Sequence, residues 1–295
     1  MKTRTNPRID AVPRPPHDEA VHTVTIVGVL NVTPDSFHDG GRFLDPAAAV
    51  AQAVALRRAG ADVVEVGGES TGPNSPAVSA EEELSRILPV IRAIRVATPD
   101  LPLSVDTYKA AVASAVLAEG VSMINDVTAG RSDPELFAAV AKSDAKLVLM
   151  HAKDPSPRTT IAENGYDDVV ATIAAFLAAR RDAAVAAGVR LSRIILDPGM
   201  GHFVSSDARW SLELLGRLPE FGSLGSPLLL SPSRKSFLAG SEKLRTADRL
   251  PGTIAASAIA VLHGAAYIRT HDVLEVRRGC EIASAIRLLT AGRAG

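Results

Sequence analysis

The chain has 295 residues, 46% hydrophobic and 22% charged, ordinary proportions for a globular protein long enough to bury a large core. A formal net charge of -1 supplies no basic face, which argues against nucleic acid as a partner and in favour of small molecules. The single cysteine, Cys280, leaves no internal disulfide and no thiolate metal site, which fits a reducing, cytoplasmic setting.

Residues 1–20 carry Pro7, Pro13, Pro15 and Pro16 among scattered charges, without the apolar core of a signal peptide. They read as a loose arm before one domain over residues 21–295. No apolar run has the length of a membrane span.

From residue 24 onward, short β-branched runs alternate with Ala- and Leu-rich stretches at helical spacing, the pattern of repeated βα units about a parallel sheet. Predicted strands cover residues 24–30, 62–66, 102–105, 122–125, 146–150, 193–196, 227–231 and 266–269. Asp45-Pro46 and Asp133-Pro134 place a capping carboxylate before a proline at the first helical position, and Ser79 with Glu82 reads as a capping box. Gly60, Gly120, Gly188 and Gly264 each end a helix just before the next strand. Eight such units suit a closed (β/α)8 TIM barrel of ~250 residues. The nucleotide-binding open sheets lose their usual support, because no GxGxxG follows the first strand and no GxxxxGK[ST] occurs.

Barrel enzymes work at the ends of their strands. The first polar residues there are Asn31, the run 67–71, Asp106, Asn125 with Asp126, His151, Asp197, the run 231–236, and 269–272. Any one of them is more ordinarily a cap or turn former. In series, they bring acceptors, amides, cations and the imidazoles of His151 and His271 to one mouth, which a packed core does not require. Asp106 and Asp197 suit the paired N–H donors of a flat, guanidine-like heterocycle edge, and Asn125 suits a mixed donor and acceptor edge, as in a purine or pterin. Arg269 and His271 beside Asn31 suit a polyanion, and Asn31 offers a hard oxygen to Mg²⁺. Lys235 reads either as a charged donor or as the Schiff-base lysine of an aldolase. No HExxH occurs.

Taken in order, "VLNVTPDSFHDGG", "GADVVEVGGEST", "SVDTYKAAVA", "INDV", "LVLMH", "ILDPGMG", "SRKSFL" and "IRTHDV" resemble the dihydropteroate synthases of folate biosynthesis. The resemblance implies a homodimeric barrel that joins 6-hydroxymethyl-7,8-dihydropterin pyrophosphate to p-aminobenzoate, with Mg²⁺, releasing pyrophosphate after the C–O bond has broken. By motif, Asp106, Asn125, Asp197 and Lys235 would hold the pterin, with Arg269 along its ring and reaching the pyrophosphate. Asn31 and His271 would complete the anion and metal site, so that Asn31, Lys235, Arg269 and His271 form the catalytic set. Thr71, Ser233 and Arg234 would face p-aminobenzoate, with Phe37 near its ring and His202 and Phe203 on the same side.

The chain also departs from the family pattern. Gly72 stands where "GGESTRPG" has an arginine, Glu65 replaces an aspartate, and His202, Phe203 and Val204 replace Phe, Gly and Lys. Pro232 falls in a stretch that is usually more flexible. Glu65 and Pro232 read as neutral changes, whereas Gly72, His202 and Phe203 gather on the p-aminobenzoate side and resemble the sulfonamide-insensitive branch of the family. Two other readings stand beside this one: a catalytically inactive pterin-binding paralogue, motivated by the missing arginine, and a corrinoid-linked methyltransferase on the same barrel.

Overall fold

A computed structural model describes residues 24–33 and 45–291. The predicted arm over residues 1–20 and Phe37 both lie outside the described residues.

Eight parallel strands form the sheet: β1 (Thr25–Asn31), β2 (Val63–Gly67), β3 (Leu103–Asp106), β4 (Met123–Asp126), β5 (Lys146–Met150), β6 (Ile194–Asp197), β7 (Leu229–Leu230) and β8 (Tyr267–Thr270). They pair in the order β6-β5-β4-β3-β2-β1-β8-β7. The remaining seam closes through a parallel bridge between Leu196 and Leu228, with Leu196 N–H donating to the Pro227 carbonyl at 2.9 Å. The helices α1 (Pro46–Arg58), α2 (Ala80–Ala97), α3 (Ala110–Ala118), α4 (Glu135–Ala141), α5 (Val169–Ala186), α6 (Ala208–Gly216), α7 (Leu250–Leu262) and α8 (Val273–Ala291) each follow a strand, completing the (β/α)8 barrel.

The period of two along each strand separates two cores. Ile26, Leu30, Val64, Val105, Ile124, Leu149, Leu196 and Ile268 point outward into the apolar layer shared with the helices. Val27, Met123, Val148, Ile195, Leu229 and Tyr267 point inward and plug the barrel's lower end. Below them Lys146 Nζ donates to the Tyr267 hydroxyl at 2.6 Å. Above the plug, the same inward parity carries polar side chains, so the apolar floor supports a polar bowl.

Local signals do what their chemistry requires. The Asp45 carboxylate accepts from Ala47 N–H at 3.2 Å. Ser79 accepts from Glu82 N–H at 3.1 Å, but the Glu82 carboxylate turns to Arg86, so only half of the expected capping box forms. Helix α4 starts one residue later than predicted, and Asp133 caps two helices, accepting from Glu135 N–H at 3.2 Å and from Ala110 N–H of α3 at 2.8 Å. At Gly60, φ is +104° and a Cβ would lie 2.6 Å from the Arg277 side chain, so both conformation and space demand glycine.

Candidate active site

Register aligns the upper rim. Asn31 pairs with Gly67, Gly67 with Asp106, and Asp106 with Asn125, forming one row across four strands, while Met150 pairs with Asp197 further round. Because these positions share inward parity, their side chains border a single cavity of about 360 Å³. Asn31, Thr71, Asp106, Asn125, Asp197 and His202 line it, as do Phe203, Ser233, Arg234, Lys235, Arg269 and His271.

Arg269 crosses the bowl between two carboxylates, donating from Nε to Glu65 at 2.5 Å and from Nη2 to Asp106 at 3.2 Å. Glu65 is fully buried and also accepts from the Ser104 hydroxyl at 3.2 Å. Burial opposes the charge of Arg269, yet Glu65 and Asp106 together outweigh it and hold the guanidinium more firmly protonated than usual. Burial first, and then the neighbouring Glu65, push the Asp106 carboxyl well above the ordinary carboxylate range. Burial raises Asp197 to about 6 against the opposing pull of Lys235, and lowers Lys235 to about 8 against Asp197. The Asp197 carboxylate accepts from Gly199 N–H at 2.7 Å. Asn125 is 3% exposed, and its Oδ1 has no partner among the described residues. A buried amide oxygen left open beside two high-pKa carboxylates is a receptor for N–H donors.

The turn after β7 divides its cations. Arg234 adopts a left-handed φ of +55°, which sends its guanidinium sideways in a bidentate pair with Asp272, at 2.7 Å through Nε and closer through Nη2. Lys235 therefore enters the cavity, with its ammonium 4.7 Å from the centre of the Phe203 ring. Ser233, 6% exposed, is hydrogen-bonded to His271 Nδ1 at 2.9 Å and accepts from His271 N–H at 3.2 Å. Ser233 and Arg234 thus border the cavity as expected but commit their polar groups to β8 and the residues after it.

A strap from the loop after β5 ties the other walls together. Thr159 N–H donates to the Thr71 carbonyl at 3.2 Å, and its hydroxyl donates to the His202 carbonyl at 2.8 Å. Lys153 N–H holds the Phe203 carbonyl at 2.8 Å. Arg158 pairs with Glu69 and donates to the carbonyls of Ser75 at 2.9 Å and Pro76 at 2.8 Å, next to Gly72. Glu69 and Glu83 in turn share Lys109.

Two expectations change. His151 does not reach the cavity: following inward-facing Met150, it turns outward against Phe176, ring centres 5.0 Å apart, and burial lowers its pKa to about 3. Asp126 is a turn former, accepting from Thr128 N–H at 2.7 Å and Gly130 N–H at 2.5 Å. Two residues escaped the sequence reading. Glu65, taken for a neutral change, is the buried partner of Arg269, and its signal was a carboxylate at an inward position of an otherwise apolar strand. Arg249, on the cavity wall, follows no strand and carried no local signal.

Comparison places this geometry among known proteins. Residues 27–271 match the family described as pterin binding enzyme. A dihydropteroate synthase of Mycobacterium leprae is 43% identical over 256 residues, covering 85% of this chain and 89% of its own. A dihydropteroate synthase type-2 of Escherichia coli is 39% identical over 266 residues, covering 90% and 97%. Among solved structures, the dihydropteroate synthase of Xanthomonas albilineans with 4-aminobenzoic acid superposes with a TM-score of 0.81 at 39% identity, covering 90% of this chain and 94% of that one.

Proposed function

The chain belongs to the pterin-binding enzymes and works as a dihydropteroate synthase of folate biosynthesis, and from that premise we propose how its own residues divide the task. The observation that carries the assignment is the convergence of Asp106, Asn125, Asp197, Lys235 and Arg269 on one cavity above an apolar plug. Asp106 and Asp197 accept the N–H donors of the dihydropterin edge, the open Asn125 amide reads the adjacent edge, and Lys235 donates to a ring acceptor. Arg269, fixed by Glu65, lies along the ring toward the diphosphate, and His271, oriented by Ser233, donates to the departing anion. The C–O bond to the diphosphate breaks, the electron-rich pterin spreads the positive charge, and the aniline nitrogen of p-aminobenzoate attacks the methylene carbon and loses its proton. Donors aimed where negative charge grows supply the rate enhancement.

A magnesium ion fits the donor set. Among the described residues no cluster of three or more His, Cys, Asp or Glu exists to cage a metal. Asn31 instead presents a single amide oxygen, and a Cβ on Gly67 would lie 3.3 Å from it, so the glycine keeps room beside that atom. One protein oxygen completed by substrate phosphates and water is a habit of Mg²⁺. When bound there, Mg²⁺ would neutralise charge on the leaving diphosphate.

The proposal extends to assembly, setting and drug response. Ile259, Leu262, Ile282, Ile286 and Leu289 leave an exposed apolar face on α7 and α8, which suits the homodimer, and sedimentation of the purified chain tests it. No described helix is long and apolar enough to cross a membrane, and the cytoplasm is the proposed setting. The wall around Phe203, held by the strap and by Lys235, supports rejection of sulfonamides, which extend beyond p-aminobenzoate at the acid end. A sulfamethoxazole inhibition constant well above the p-aminobenzoate KM is expected, and a submicromolar one would overturn the idea. The overall reading is tested by pyrophosphate release with both substrates. Tight pterin binding without release would mark an inactive paralogue instead.

A further inference from the structure

His271 follows β8 and lines the cavity, and a chain of polar contacts behind it fixes which of its ring nitrogens carries hydrogen. The chain starts at Asp272, which the bidentate pair with Arg234 holds in place. The Asp272 N–H donates to the Thr270 hydroxyl at 3.1 Å. Thr270 is fully buried, and the one acceptor its hydroxyl hydrogen meets among the described residues is Ser233 Oγ at 3.4 Å. Ser233 Oγ also accepts from the His271 N–H at 3.2 Å, a backbone group that can only donate. A hydroxyl has two acceptor lone pairs and one hydrogen, so both lone pairs are taken. The Ser233 hydrogen is left for its shortest contact, His271 Nδ1 at 2.9 Å.

We propose that Ser233 is the positioning residue that sets the tautomer of His271: Nδ1 accepts from the hydroxyl, and Nε2 carries the ring hydrogen. The inference rests on the reading of His271 given above and deepens it, because that hydrogen decides what the side chain can bind. An Nε2–H group is a donor, which suits a diphosphate oxygen and offers no lone pair to a cation. The opposite tautomer would present a bare Nε2, suited to a metal and unable to donate to the leaving anion. Ser233 thereby separates two roles that the sequence motif leaves joined: His271 binds the anion, and Asn31 is left as the protein's oxygen for Mg²⁺. The same logic gives a task to Thr270, a buried threonine that does not line the cavity. Its hydroxyl fills the lone pair through which Ser233 would otherwise accept from an Nδ1–H group.

Nitrogen NMR of the full chain, isotope-labelled at histidine and free of ligand at mildly alkaline pH, reads the tautomer directly, with His271→Asn identifying the resonances. Wild type shows hydrogen on Nε2 alone, and the Nε2–H signal moves on addition of inorganic pyrophosphate but not of Mg²⁺ alone. In Ser233→Ala the Nδ1 signal loses its hydrogen-bond shift and an Nδ1–H population appears. Thr270→Val, nearly isosteric and away from the cavity, also brings in Nδ1–H, because Ser233 is then free to accept. With both substrates, kcat of Ser233→Ala falls ~10-fold, part of the ~10²- to 10³-fold that loss of a transition-state donor costs, while both KM values change less than about threefold. Hydrogen on Nδ1 or on both nitrogens in the wild type, or a ring spectrum unchanged in either folded variant, overturns the proposal. So does a raised KM for p-aminobenzoate with kcat intact in Ser233→Ala, which would return that hydroxyl to the substrate. If the wild-type chain releases no pyrophosphate, the reaction assigned above is at fault, and the ring spectra then decide the tautomer on their own.

Discussion

Arg269 carries two loads that substitution separates. It is the donor assigned above to the departing diphosphate, and it is also the counterion of a fully buried carboxylate, Glu65. Arg269→Ala is expected to lower kcat/KM by ~10²- to 10³-fold, the usual cost of removing a donor aimed at transition-state charge. The same change strands Glu65, and a buried carboxylate that has lost its cation costs about 3–5 kcal/mol. The double variant Glu65→Gln/Arg269→Ala should therefore melt higher than Arg269→Ala while remaining as inactive. Retention of kcat/KM within threefold in the single variant would remove Arg269 from the mechanism. At this scale the sequence was legible wherever a polar strand-end residue also has inward parity, as at Asp106 and Asp197, which both line the cavity. It misled at Glu65, because a one-methylene change looks neutral until its burial and partner are known.

Helix boundaries follow from the chain's own punctuation, with one exception that only packing explains. Asp133 was expected to cap its own helix, but its second oxygen reaches across to Ala110 N–H and closes the start of α3 as well. One carboxylate thus satisfies two otherwise orphaned helix donors. Removing a cap costs about 1 kcal/mol, so Asp133→Ala should cost about 2 kcal/mol against about 1 for Asp45→Ala, which serves α1 alone. Urea unfolding midpoints of the two variants measure the difference, and equal losses would show that the second cap contributes nothing. The strap after β5 was illegible for a related reason. Lys153, Arg158 and Thr159 bond to segments more than 40 residues away, and no periodicity records such contacts.

For the whole molecule, the unliganded bowl is a source of instability that substrate relieves. Asp197 has a folded-state value of about 6 against an ordinary 3.8, so the folded protein holds that proton more tightly than the unfolded chain. Its contribution therefore favours folding most below about 4 and is lost as pH rises through about 6. At 1.36 kcal/mol per unit, the swing is about 3 kcal/mol. The melting temperature of wild type relative to Asp197→Asn, whose amide keeps the bond from Gly199 N–H but cannot titrate, should accordingly fall between pH 4 and pH 7. A pterin ligand donating to the Asp197 carboxylate should flatten that slope. A difference independent of pH would show that Asp197 titrates normally in the folded chain.

The sequence by itself determined the eight βα units, the closed parallel barrel, and the identity of most groups at its mouth. Strand periodicity, caps and strand-end chemistry are local properties, written within a few residues of where they act. The tertiary structure alone decided which charges neutralise one another: that Arg234 is spent on Asp272, that Glu65 underlies Arg269, and that Arg249 faces the cavity with no carboxylate partner among the described residues. Electrostatic pairing depends on distances across the barrel between residues such as Arg269 and Glu65, 204 positions apart, and these exist only once the ring of strands has closed.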